Sequence, residues 1–168
     1  MKKTVLKYGL YGAVCISILF MLSWYVLDNL SFATQEVLGY ASMVIALLFV
    51  FFGIKEYRDK ENNGKISFRT ALTIGLLISV ITAVCFGILD VIYTEVLNPN
   101  FMETYYKDSV EQLRQALPPE EFESKLTELE SQKELFTNPL FSFGLMAMTV
   151  FLIGFIISLI SALVLQRK

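Results

Sequence analysis

The segment Ile54–Gly75, IKEYRDKENNGKISFRTALTIG, sets five basic residues (Lys55, Arg58, Lys60, Lys65 and Arg69) between two apolar blocks, Val37–Ile54 and the block that opens at Thr70. Each block is close to the roughly 20 residues a helix needs to cross a hydrocarbon core. A short basic connection between two such blocks is the pattern of a loop kept on the cytoplasmic side of a membrane. Within it, Lys55 and Asp59, and likewise Glu56 and Lys60, stand four apart. They would pair if the preceding helix extends, worth about 0.2–0.5 kcal/mol each. Asn62-Asn63-Gly64 supplies a turn that tolerates positive φ. Ser67 is placed to cap the next helix, leaving Ile66 and Phe68 to dip into the interface. Each Lys or Arg near the surface attracts anionic lipid by about 1 kcal/mol, partly cancelled here by Glu56, Asp59 and Glu61. A functional site built around Arg58 and Asp59 is the competing reading of the same tract.

Two more apolar blocks lie outside this pair, Tyr8–Leu27 and Pro139–Leu165, and the third runs from Thr70 to Tyr93 with one acid, Asp90, near its end. Of the 168 residues, 55% are hydrophobic and 18% charged, against about 25% charged in ordinary soluble domains, and mean hydropathy is +0.57. Because backbone groups inside lipid must be paired internally, the four blocks are expected to be helices. The first could be a signal peptide, given Lys2, Lys3 and Lys7. Its apolar run is too long for one, and no A-x-A-like site follows it. Trp24 and Tyr25 read as interfacial anchors.

Charge gives the orientation. Ten of the 14 basic residues fall on one side: the five above with Lys2, Lys3, Lys7, Arg167 and Lys168. The loop Asp28–Glu36 has none, and 98–138 has four. Four spans with both termini cytoplasmic satisfy that distribution. The net charge of −2 argues against a nucleic-acid partner, which would need a basic face.

Small residues mark where spans approach. Ala71, Gly75, Ser79, Ala83 and Gly87 recur every four residues, with shorter series at Gly9, Ala13, Ser17 and at Gly154, Ser158, Ala162, and a seven-residue series at Gly39, Ala46, Gly53. Four residues turn a helix 400°, so the longest stripe stays nearly on one face, and small residues let helix backbones close in lipid. Ordinary contacts within a four-helix bundle and a homodimer seam are both compatible with the stripe. Asp90 is a candidate ion or proton residue, as intramembrane acids are. Its place about 30 Å along the span instead suggests an acidic outer rim with Asp28 and Glu95. Cys15 and Cys85 differ in depth by roughly 12 Å, too far for a disulfide.

The connection 98–138 is itself periodic. Tyr106, Val110, Leu113 and Leu117 form one helical face, Pro118-Pro119 break it, and Phe122, Leu126, Leu129 and Phe136 form a second. A helical hairpin outside the membrane is expected, with nine acids against four bases. Its apolar faces could meet each other, the lipid surface or a partner, and a Glu121–Lys125 pair would support the second helix.

The sequence has no histidine, no phosphate-binding or dinucleotide-binding glycine motif, no CxxC pair and no Ser-His or Cys-His set. Neither catalytic residues, a cofactor nor a metal site is expected. The fold class is an all-α integral membrane protein, one domain over 1–168. It has spans at about 8–27, 37–54, 70–93 and 139–165 and an extracytoplasmic helical hairpin at about 98–138. The favoured function is a non-enzymatic interaction, scaffold or accessory subunit. The alternative is a small transporter or channel subunit. Expected partners are the lipid bilayer and either a second copy or another membrane or periplasmic protein.

YRDKENNGKISFRTALTIGLLIS, followed by LNPNF, an acidic helical loop and a last span, resembles a family of small four-span membrane proteins of Bacteroidota with a domain of unknown function. Tyr57-Arg58-Asp59, Gly64, Ile66, Ser67, Phe68, Ala71, Gly75 and Asn98-Pro99 carry the resemblance. It implies an inner-membrane location and assigns no activity to any residue.

Overall fold

A computed structural model describes residues 1–26 and 32–167. Asp28 of the expected acidic rim, the Trp24 and Tyr25 side chains and Lys168 lie outside the described residues. So does most of the first connecting loop.

The described residues form six α-helices: α1 (Lys2–Val26), α2 (Phe32–Glu56), α3 (Phe68–Ile92), α4 (Phe101–Ala116), α5 (Pro119–Phe136) and α6 (Pro139–Leu165). Four stretches are long and apolar enough to cross a membrane: Lys2–Ser23, Thr34–Glu61, Phe68–Leu97 and Pro139–Leu165. The last coincides with its expected limits, whereas the second and third run past theirs at the far end because wider, π-helical turns at Tyr57–Glu61 and Tyr93–Leu97 prolong α2 and α3. The chain divides into two compact units, Met1–Phe86 with Met146–Lys168, and Gly87–Leu145.

In the first unit the core is a ladder of branched side chains. Ile16 of α1, Leu47, Val50 and Ile54 of α2, Ile74 and Ile78 of α3 and Val150 of α6 are almost wholly buried. Glycines set how closely these helices approach. A Cβ at Gly75 would lie 2.6 Å from Ser158 Oγ, and one at Gly154 would lie 2.6 Å from Ser79 Cβ. On the α1 side, a Cβ at Gly12 would stand 2.5 Å from Thr82 Oγ1, and one at Gly53 would meet Ile78 and Tyr8. Gly39, by contrast, faces open space; its seven-residue spacing with Ala46 and Gly53 marks no contact there. The buried hydroxyls are not left without partners. Ser79 Oγ donates to Gly75 O at 2.9 Å and Ser158 Oγ to Gly154 O at 2.7 Å, the back-bonding that lets hydroxyl residues sit inside a helix.

Outward faces are apolar. Leu10, Val14, Ile18 and Leu22 are exposed at four-residue steps along α1, as are Leu152, Ile156, Ile160 and Val164 on α6, with Leu163 exposed beside the last. Contiguous apolar surface on this scale is foreign to a water-facing monomer.

In the second unit α4 and α5 run back along each other. Tyr106 Oη donates to Glu130 Oε1 at 3.3 Å, Lys133 Nζ sits 4.5 Å from the Tyr106 ring, and the Arg114 guanidinium lies over Phe122. All eight apolar-face residues expected from periodicity (Tyr106 to Leu117 on α4, Phe122 to Phe136 on α5) are half-buried. Pro118 and Pro119 fall at the break because proline has no N–H to continue a helix but suits a first turn. The expected Glu121–Lys125 pair is replaced by Lys125 with Glu128 at 2.7 Å, one turn in the other direction.

Candidate functional site

Polar chemistry in the first unit gathers where α1 and α3 begin and α2 and α6 end. The sequence makes this corner step by step. Tyr57–Glu61 widens the end of α2, and Asn63 (φ 52°) and Gly64 (φ 78°) then reverse the chain through the left-handed region. Such conformations are tolerated by asparagine and glycine. Ser67 Oγ accepts from the Thr70 N–H at 3.2 Å, capping α3 as its spacing suggests.

Three ties hold the corner. Glu56 receives Lys7 Nζ at 2.9 Å and Tyr8 Oη at 2.7 Å, joining α1 to α2, with Lys60 at 3.6 Å. Glu61 receives the hydroxyl of Thr4, itself buried, and the Met1 amino group. Arg58, only 8% exposed, gives two N–H bonds to Asp59 (2.6 and 3.1 Å) and a third, at 3.3 Å, to the carbonyl oxygen of Leu165. That last bond matters because the final carbonyls of a helix have no partner within it. Arg58 thereby caps α6 from the end of α2. Next to it, Ile66 and Arg167 exchange both backbone hydrogen bonds, each 2.9 Å, as an antiparallel bridge.

Arg58 and Asp59 are therefore brought together. Asp59 pairs with Arg58 rather than with Lys55, because Arg58 is nailed in place by burial whereas both flanking lysines reach solvent. Ile66 does not dip into the interface; it is 1% exposed and part of the core. The stripe residues Ala71, Gly75, Ser79, Ala83 and Gly87 are all buried. Gly75 and Ser79 face Ser158 and Gly154 of the same chain.

Asp90 belongs to the second unit and is 7% exposed. Its Oδ2 accepts from Ser142 Oγ at 2.8 Å, tying α3 to the start of α6. Glu95 is exposed, so these two carboxylates do not share one exposed rim. A Cβ at Gly87 would press on Phe143, 2.8 Å away, which shows how closely α3 and α6 approach there.

Sequence reasoning singled out Arg58, Asp59 and Asp90 but missed Thr4, Lys7, Tyr8, Glu56 and Ser142. A signal existed for one pair: Lys7 just precedes the first apolar block and Glu56 just follows the second, so two antiparallel helices bring their opposite charges to one side. No group of three or more His, Cys, Asp or Glu able to hold a metal occurs among the described residues. Chemically, the corner is a set of inter-helix ties with each buried polar group bonded.

Neither the curated proteins nor the solved structures gave a match. A family model described as "Protein of unknown function (DUF4199)" matches residues 7–167. The match takes in all of α2 to α6, α1 from Lys7 onward and the polar corner apart from Met1 and Thr4, and on that coverage the chain belongs to the DUF4199 family.

Proposed function

We propose that the protein is a multi-pass protein of the bacterial inner membrane. Both termini would be cytoplasmic and the α4–α5 pair outside. It serves as a non-enzymatic interaction, scaffold or accessory subunit. The observation that carries this reading is how the charged groups at its helix ends and between its helices are used. Glu56, Arg58, Glu61 and Asp90 are each bonded within the chain at a helix end or between helices, where they tie elements together. Orientation rests on the basic residues at 2–7, 55–69 and 167–168, which the positive-inside rule puts in the cytoplasm. The acidic surface of α4 and α5 then faces the other compartment and is the natural docking surface for a soluble or membrane partner.

Purification from its own membranes in mild detergent tests this. A stable foreign chain should co-purify, and deletion of 101–136 should release it. A pure homo-oligomer that passes ions or solute in liposomes would contradict it. That outcome is the second reading, a small transporter or channel subunit, and Asp90 favours it: a carboxylate buried beside one serine is the kind of group ion pathways use. Flux that survives Asp90→Asn unchanged would remove Asp90 from any such pathway.

A further inference from the structure

Beside the polar corner lies a basic groove whose arginines form no ion pair among the described residues. Ile66, Ser67, Phe68 and Arg69 form one wall and Gln166 and Arg167 the other, around a cavity of about 590 Å³. The Ile66–Arg167 bridge fixes the two walls together, so the guanidiniums of Arg69 and Arg167 are held on one small structure although 98 positions separate them. Both side chains are exposed. Among the described residues neither makes an ion pair, nor does Lys65 beside them.

The groups that could repel an anion here are already occupied. Asp59, an acid within electrostatic reach of Arg167, is gripped by Arg58 through both oxygens. Four backbone carbonyls around the end of α6 are taken as well: Leu165 O by Arg58, Ala162 O by the Gln166 N–H, Leu163 O by Gln166 Nε2 and Arg167 O by the Ile66 N–H. What remains is cationic at the rim and apolar behind. Phe68 is half-buried at the wall, and Ile160, Leu163 and Val164 stay exposed on α6 just below.

The groove also sits where the apolar stretches of α3 and α6, Phe68–Leu97 and Pro139–Leu165, give way to charged residues. In a bilayer that is headgroup depth. We infer that this groove binds the headgroup of an anionic phospholipid, with Arg69 and Arg167 on the phosphate and an acyl chain along Leu163 and Val164. The inference rests on the membrane reading of the four apolar helices and not on the accessory role. A guanidinium suits the part because its planar fork can give two parallel bonds to phosphate oxygens.

The test is native mass spectrometry of the full chain released from phosphatidylcholine nanodiscs, with phosphatidylglycerol, more phosphatidylcholine or inorganic phosphate added. The protein should retain phosphatidylglycerol over phosphatidylcholine by about thirtyfold, the order expected for two basic residues meeting an anionic headgroup. Arg69→Gln with Arg167→Gln should abolish that preference, while Lys2→Gln with Lys3→Gln, equally basic but away from the groove, should keep it. Should the double variant unfold by circular dichroism, Arg69→Gln alone must lower the preference by about fivefold. Any of several results would overturn the inference. The wild type could show no preference. The groove variants could keep it. The Lys2/Lys3 control could lose it equally. Or the groove variants could alter the monomer–dimer ratio instead of lipid count, making a second copy the occupant. Displacement of the lipid by equimolar inorganic phosphate would likewise overturn the lipid assignment. Failure to enter nanodiscs of either lipid would instead contradict the membrane reading, and this inference with it.

Discussion

Gly75 and Gly154 sit where a single methyl group has no room, 2.6 Å from Ser158 Oγ and from Ser79 Cβ respectively. Neither neighbour can swing clear, because both serines are fully buried and bonded to their own helix. Gly75→Ala or Gly154→Ala should therefore destabilise the bundle by about 1–3 kcal/mol, read as an earlier unfolding midpoint in a detergent titration. Gly39→Ala, which meets nothing within 4 Å, should change stability by less than about 0.5 kcal/mol. Spacing alone made the first two legible, because residues four apart share a helix face. The same rule misplaced Gly39 and passed over Gly12, since a shared face does not say whether a neighbour lies against it. Arg58 was legible as a candidate but its role was not, for its partner is the backbone carbonyl of Leu165, which leaves no mark in the sequence. Arg58→Ala removes a charged hydrogen bond at a buried helix end and should cost about 1.5–3 kcal/mol. Arg58→Lys should not restore it, because a point charge cannot serve Asp59 and Leu165 together.

At the scale of elements, α4 and α5 hold together by half-buried apolar faces with polar contacts at their edges. Leu113 and Leu129 line the same shallow cavity between them, with Ser109, Gln112 and Ala116. Leu129→Asp places a charge there, which is costly to desolvate. Limited proteolysis of the full chain should then cut within 101–136 markedly faster than in wild type, and equal rates would show that the two faces do not support each other. Periodicity and the two prolines made both helices legible to within a few residues. The individual ion pairs were not, because several partners lie within reach of each long side chain and packing selects one. Lys107 with Glu103, 2.8 Å apart, is such a pair, and it holds the Glu103 carboxyl below its ordinary value of 4.5. With the folded value lowered, the pair's contribution is complete above the ordinary value and is lost as pH falls through the lowered one. Lys107→Ala should raise the Glu103 titration midpoint towards the ordinary value by NMR, and an unmoved midpoint would refute the pairing.

For the whole molecule, the number of apolar helices and the position of α4 and α5 between the third and fourth were readable from block length and composition, because roughly 20 uncharged residues admit few alternatives. The ties at the polar corner were not readable, since Thr4, Lys7 and Tyr8 meet Glu56 and Glu61 only after the chain has folded across more than 40 positions. Sidedness is the proposal on which both the hairpin's docking role and the headgroup groove depend. It can be measured by single-cysteine labelling in whole cells, in a chain whose Cys15 and Cys85 are replaced by serine or alanine. A membrane-impermeant thiol reagent should modify Ser124→Cys, on exposed α5, in intact cells. Asn63→Cys, in the exposed turn before α3, should react only once the inner membrane is opened. Labelling of both positions from the same side would contradict the four-span account.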